Sequence, residues 1–256
     1  MSDPHKQIVR QYLETIGYTV SEIPEGMQLS ADLAAAGPDV GLVVEVKGRR
    51  EDTLIARELS AAPPLQVIES HVPIVHDDYL SDLVHKAAKQ IQASQELYPG
   101  LGVFWFRADP ELGISHAAQK MVTTLLGRRY VHVRKADGLI TSARCYLAAY
   151  ADFHRYRVID LAFVEDPDNG GELLVNPYSL RLEQARACRL YTFAADSTPG
   201  AIIDVQRLEE SGVDYVLFGD FPRKDEATVL AELKRRYPDR DFQMFDMQGH
   251  AGYTRG

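Results

Sequence analysis

The apolar positions of the chain change period several times, and each change marks an element. Over residues 7–16, Ile8, Val9, Tyr12, Leu13 and Ile16 recur at helical spacing, and Gly17 stands where a left-handed helix cap belongs. An amphipathic helix is expected there. Residues 18–23 alternate and are rich in β-branched side chains, which predicts a strand ended by the loop at Pro24, Glu25 and Gly26. A short strand over 30–35, a turn at Gly37-Pro38-Asp39 and the β-prone run 41–47 read as a hairpin. Residues 52–78 contain prolines and carry no clear period beyond a short helix near 54–59. From 79 to 97, Leu80, Leu83, Val84, Ala87, Ala88 and Ile91 form one helical face, and Pro99-Gly100 leads into a strand over 101–106.

Beyond Pro110 the pattern predicts a helix over 115–126, a strand over 130–134 and a long strand region over 144–164 ending in a turn at 166–171. A strand at Leu173, Leu174 and Val175, a helix over 180–193 and a closing strand–helix–strand over 213–218, 224–237 and 241–245 complete the reading. The fold class expected is α/β. Residues 1–110 form a core with a central mixed sheet flanked by helices, and residues 111–256 an additional α+β part that can be continuous with it, because no composition break separates the two.

With 256 residues, 45% of them hydrophobic, the chain can bury a sizeable core. Residues 1–6 are polar and no run approaches the roughly 20 apolar residues that span a bilayer, so a cytoplasmic protein without a membrane partner is expected. Cys145 and Cys188 have no zinc, redox or disulfide spacing and read as buried small hydrophobes. His71, His76, His85 and His154 are scattered without ligand spacing and read as structural or surface residues. The formal charge of -9 argues against a protein that coats nucleic acid by global attraction, but leaves room for a local basic rim.

The hairpin concentrates the chemistry. A turn centred between Pro38 and Asp39 places Asp32 directly opposite Glu45, and side chains so paired lie only about 4.5–5.5 Å apart. Two carboxylates at that separation repel unless a positive charge lies between them, and Mg²⁺ or Mn²⁺, hard ions that prefer oxygen ligands, suit them. Strand alternation puts Glu45 and Lys47 on one face and turns Leu42, Val44 and Val46 to the other. Lys47 is then placed to orient a water or to stabilise charge on a phosphorane.

Asp32 in SADLA followed by Glu45 and Lys47 in VVEVKG resembles the PD-(D/E)xK, or restriction-endonuclease-like, nuclease superfamily, and the order of helix, hairpin, helix and strand over about residues 7–106 is similar to that family's core. The resemblance implies a metal-dependent endonuclease that hydrolyses phosphodiester bonds in nucleic acid, DNA in the first place, with Asp32 and Glu45 as metal ligands and Lys47 as catalytic lysine. Ala31 stands where the family frequently has proline. Pro38-Asp39 is also a literal match, but it lies in a tight turn only six positions before Glu45, so the ligand is assigned to Asp32. The family often adds a polar residue from the following helix, which points to Gln90, flanked by the solvent-facing Lys86 and Lys89; Glu14 in the first helix lies off the apolar face.

Arg49 and Arg50 follow the strand of Glu45 and read either as contacts to a phosphate backbone or as an ordinary charged loop. Arg128, Arg129, His132, Arg134 and Lys135 form the densest basic segment and read as a stripe for nucleic acid or as a solvated strand edge. Asp214 and Asp220 in the closing unit lack a Gly-rich phosphate loop. Two other functions remain open, a non-cleaving binding module with the nuclease fold and a metal-dependent phosphoesterase for a smaller substrate, and a homodimer is compatible with each.

Overall fold

A computed structural model describes residues 3–24, 26, 29–50, 61, 63, 67–109, 116–166, 170–197, 201–219 and 225–254. The chain opens with α1 (Pro4–Thr15), whose Asp3 side chain accepts the His5 N–H and whose Pro4 occupies the first turn, where no amide donor is needed. The helix ends at Gly17, with φ of 99°, as its glycine predicts. Strands β1 (Thr19–Glu22), β2 (Leu33–Ala36) and β3 (Leu42–Arg50) follow as an antiparallel set.

After β4 (Val67–Pro73) come α2 (Asp78–Gln95), β5 (Leu101–Asp109), α3 (His116–Leu126), β6 (Arg128–Arg134) and β7 (Ile140–Leu147). The region 144–164, expected as continuous strand, is broken. β7 leaves through a 3-10 turn (Ala148–Tyr150) and the short α4 (Asp152–Arg155) before β8 (Leu161–Asp166), because β7 and β8 belong to different sheets. Strand β9 (Gly170–Val175) precedes α5 (Leu182–Ala187) and α6 (Arg189–Ser197). These split the single helix expected over 180–193, since Cys188 between them has an extended backbone (φ −70°, ψ 155°). Then come β10 (Ile202–Ile203), α7 (Val205–Glu210), β11 (Tyr215–Leu217), α8 (Glu226–Arg236), β12 (Asp241–Phe245) and β13 (Gln248–Thr254). The short helix expected near 54–59 lies outside the described residues.

The fold is α/β. A seven-stranded mixed sheet has the order β1-β2-β3-β5-β8-β9-β10, with β3, β5 and β8 parallel in its centre. One face carries Leu42, Val44, Val46 and Trp105 against Val9 and Leu13 of α1 and Leu190 of α6. The other carries Val43, Phe104 and Phe106 against Leu80, Val84, Ala87 and Ile91 of α2 and Met121 of α3. Central parallel strands covered on both faces read as nearly continuous apolar runs, and VFWF in β5 is one. A four-stranded sheet, β11-β7-β6-β12, packs its own cluster around Val131, Val133, Val229 and Leu233, and β13 pairs with β4 alone. Three strands of the large sheet lie beyond residue 110, so that boundary runs through one sheet, as the reading of a continuous fold allows. Among the described residues no helix is long and apolar enough to cross a membrane.

Candidate active site

Leu33 pairs with Val44 and Ala35 with Leu42, the register expected from a turn centred between Pro38 and Asp39. The paired register ends at Leu33, and Asp32 lies one residue beyond it, close enough to Glu45 for the two carboxyl groups to interact. The Asp32 amide donates to the Val44 carbonyl at 3.1 Å, and its side-chain Oδ2 accepts the Val46 N–H at 2.8 Å, so the carboxylate continues the ladder where β2 has ended. Glu45 and Lys47 share the α2 face of β3 with Val43, while Leu42, Val44 and Val46 face α1.

Glu45 is wholly buried (0% exposed), and its Oε2 has no hydrogen-bond partner. Burial, and next the negative charge of Asp32, push its carboxyl up to about 8 against the pull of Lys47. The Lys47 ammonium donates to Glu45 Oε1 and, at 3.2 Å, to Gln90 Oε1, with a quarter of its side chain (25%) open to solvent. Gln90 in turn donates to the Ser30 carbonyl at 2.9 Å. Asp32, Glu45, Lys47 and Gln90 therefore meet at the middle of β3.

Two participants escape a reading of the sequence. Lys6 of α1 places Nζ 2.7 Å from Asp32 Oδ1, and Ser94 of α2 accepts the Ala31 N–H at 2.7 Å. Each had a signal: Lys6 precedes Val9 by one helical step on the stripe Val9–Leu13–Ile16, and Ser94 extends the stripe Ala87–Ile91 as a polar residue on a buried face. His5 lies over Gly48, where a Cβ would come within 2.6 Å of its Nε2.

Other candidates stand apart. The Asp39 carboxylate accepts the Arg189 N–H at 2.6 Å, at the start of α6, so the literal Pro-Asp match serves a helix terminus. Arg49 and Arg50 lie on β3, but their side chains are outside the described residues. Glu14 pairs with Arg10 at 2.9 Å, and Lys86 and Lys89 are exposed. Nor does the basic segment form a solvated edge: β6 lies between β7 and β12, Arg128 is buried over the Tyr130 ring, Arg129 pairs with Asp246 at 3.0 Å, and His132 stacks on Phe245. Arg134 and Lys135 are exposed. Asp214 pairs with Arg144 at 3.0 Å, whereas Asp220 is outside the described residues. His85 packs on Tyr156, His154 on Tyr178, and His76 lies 3.6 Å from Asp78; the side chain of His71 is not among those described. Both cysteines are buried, with burial pushing Cys145 up to about 12 and Cys188 to about 11.

The chain matches no protein-family model, curated protein or solved structure.

Among the described residues no group of three or more His, Cys, Asp and Glu side chains could hold a metal ion alone. Asp32 and Glu45 are nevertheless hard oxygen donors of the kind Mg²⁺ and Mn²⁺ take, and the unpartnered Glu45 Oε2 is a buried acceptor without a donor. Mg²⁺ keeps several waters and substrate oxygens even in established sites, so two carboxylates fit it.

Proposed function

We propose that the chain is a metal-dependent nuclease of the PD-(D/E)xK kind, hydrolysing phosphodiester bonds in nucleic acid, DNA in the first place. The observation that carries the reading is Glu45: an acid with no exposure, one oxygen reached by no donor, beside the Asp32 carboxyl and two residues from a lysine on the same face. An ordinary surface ion pair, worth at most about 1 kcal/mol, offers no reason to bury an acid so completely. The order of helix, three antiparallel strands, helix and parallel strand supports a restriction-endonuclease-like core.

Asp32 and Glu45 would hold Mg²⁺ or Mn²⁺. When bound, the ion supplies Lewis acidity at a phosphate oxygen and lowers the pKa of a coordinated water. Lys47 has three donors, of which Glu45 and Gln90 take two, leaving the third for the attacking water or for a phosphate oxygen that gains charge as the water adds. Gln90 is a positioning residue: anchored on the Ser30 carbonyl, it fixes the ammonium from the α2 side. Arg49 and Arg50, on the same strand, would meet the nucleic-acid backbone.

A second reading rests on the pairing within the site. Lys6 reaches Asp32 and Lys47 reaches Glu45, so each acid already has a lysine partner without a metal, which suits a non-cleaving binding module. Incubating the protein with single- and double-stranded DNA and RNA, in Mg²⁺, Mn²⁺ or chelator, separates the two. Cleavage that needs the metal and drops by roughly 100-fold or more in both Lys47→Ala and Asp32→Asn is expected of the nuclease. Cleavage indifferent to both changes, or absent on every polymer, sinks it; turnover of small phosphodiesters alone would identify a phosphoesterase.

A further inference from the structure

The first turn of α1 reaches the site, and no step of the proposed chemistry uses it. Lys6 Nζ lies 2.7 Å from Asp32 Oδ1, and Oδ2 of the same carboxylate is held by the Val46 N–H at 2.8 Å. Both oxygens of Asp32 are thus engaged, while the facing Glu45 keeps an unpartnered oxygen. The two engagements differ in kind. Val46 N–H is fixed in the backbone of β3 and leaves the carboxylate a second lone pair, whereas the Lys6 ammonium is a full charge on a flexible four-carbon stem, 23% exposed, which can leave without moving the helix.

A divalent ion held by Asp32 and Glu45 would bring two positive charges close to the Lys6 ammonium, and like charges at short range repel strongly. We infer that Lys6 is a displaceable counter-ion of Asp32 that becomes a substrate-positioning residue: it neutralises Asp32 in the metal-free protein, is expelled to the mouth of the site when the cation arrives, and there takes a phosphate oxygen of the bound nucleic acid. The inference rests on the nuclease reading. It makes metal binding and substrate binding respond to this lysine in opposite directions, which a purely structural ion pair would not do.

The experiment titrates Mn²⁺ by calorimetry into the wild type, Lys6→Met and Asp32→Asn proteins. It then measures fluorescence anisotropy of a labelled DNA strand in Mn²⁺ with cleavage suppressed by Lys47→Ala, comparing that variant with Lys6→Met/Lys47→Ala and Lys6→Arg/Lys47→Ala. Methionine keeps the length and helix propensity of lysine on a partly exposed position, so the fold is retained. Mn²⁺ is expected to bind Lys6→Met about 5- to 10-fold tighter than the wild type, the factor by which a partly buried ion pair that must break first lowers metal affinity. DNA is expected to bind Lys6→Met/Lys47→Ala several-fold more weakly than Lys47→Ala, with the salt slope reduced by about one and with binding restored by arginine. A wild type that binds no Mn²⁺ overturns the metal site itself. Mn²⁺ binding that is lost in Asp32→Asn but not strengthened in Lys6→Met overturns the inference alone, and so does DNA affinity indifferent to Lys6.

Discussion

Glu45 departs further from an aqueous environment than any other residue of the site, and its ionisation connects the site to the stability of the fold. An exposed glutamate titrates near 4.3, whereas burial and the charge of Asp32 hold this one at about 8. Between those values the folded chain keeps a proton that the unfolded chain has released, so raising the pH favours unfolding by up to about 1.4 kcal/mol per unit. The stability contributed by the neutral acid is complete below the unfolded value and is lost as pH rises through the folded one. In chelator, the urea midpoint is therefore expected to fall between pH 5.5 and 8.5, and Glu45→Gln to flatten that fall and to be the more stable protein at pH 8.5. An equal slope in both proteins would mean that Lys47 keeps Glu45 ionised throughout. At this scale much was legible in the sequence: the turn at Pro38-Asp39 and the two-residue alternation of β3 suffice to set Asp32, Glu45 and Lys47 together. Lys6 and Ser94 were not, because a polar residue on a helix stripe acquires its partner only when the helix docks.

The element that completes the site is α2. Gln90 and Ser94, one turn apart, both grip the chain just before Asp32, Gln90 by donating to the Ser30 carbonyl and Ser94 by accepting the Ala31 N–H. The helix thereby positions a carboxylate it does not carry. Ser94→Ala leaves the Ala31 N–H buried without an acceptor, and a loss of about 1–3 kcal/mol in urea unfolding is expected, together with weaker Mn²⁺ binding as Asp32 loosens. A stability loss with unchanged Mn²⁺ affinity would confine Ser94 to packing. Element boundaries followed the hydrophobic period closely for α2 and β12, whereas β3, covered on both faces, runs three residues past the expected end. They failed where the chain turns without a glycine or proline. Within 144–164 no Gly or Pro interrupts the chain, and only the polar run from Asp152 to Asp160 coincides with the change of sheet; no Gly or Pro announces the extended backbone at Cys188 either. The pairing of β4 with β13 joins residues 67–73 to residues 248–254, a contact that no local pattern reports.

On the scale of the molecule, the sheet that carries the site is closed by strands from the second half of the chain. β5 hydrogen-bonds to β3 on one side and to β8 on the other, and the layer over Trp105 includes Leu161, Phe163, Leu173 and Leu190. The amino end of β5 is clamped from the same direction: Asp160 accepts the Gly102 N–H at 2.7 Å, and Arg181 bridges Asp160 and the Gly100 carbonyl, both at 2.6 Å. Val158 packs its carbonyl so close to Gly102 that a Cβ there would lie 2.2 Å away. A fragment of residues 1–110 keeps Asp32, Glu45, Lys47 and Gln90 but exposes one edge of β5 and much of both apolar faces of the sheet, an edge that invites aggregation. It is expected to lack a cooperative thermal transition in far-UV circular dichroism, to be cut rapidly by protease and to bind no Mn²⁺. A cooperative melt would instead make the first 110 residues a self-contained domain and turn the second half into an addition. Otherwise the strands β8, β9 and β10 belong to the framework of the site although none of them carries a residue of it. Any effect of the second half on activity would then be transmitted through the position of β5 and its neighbour β3.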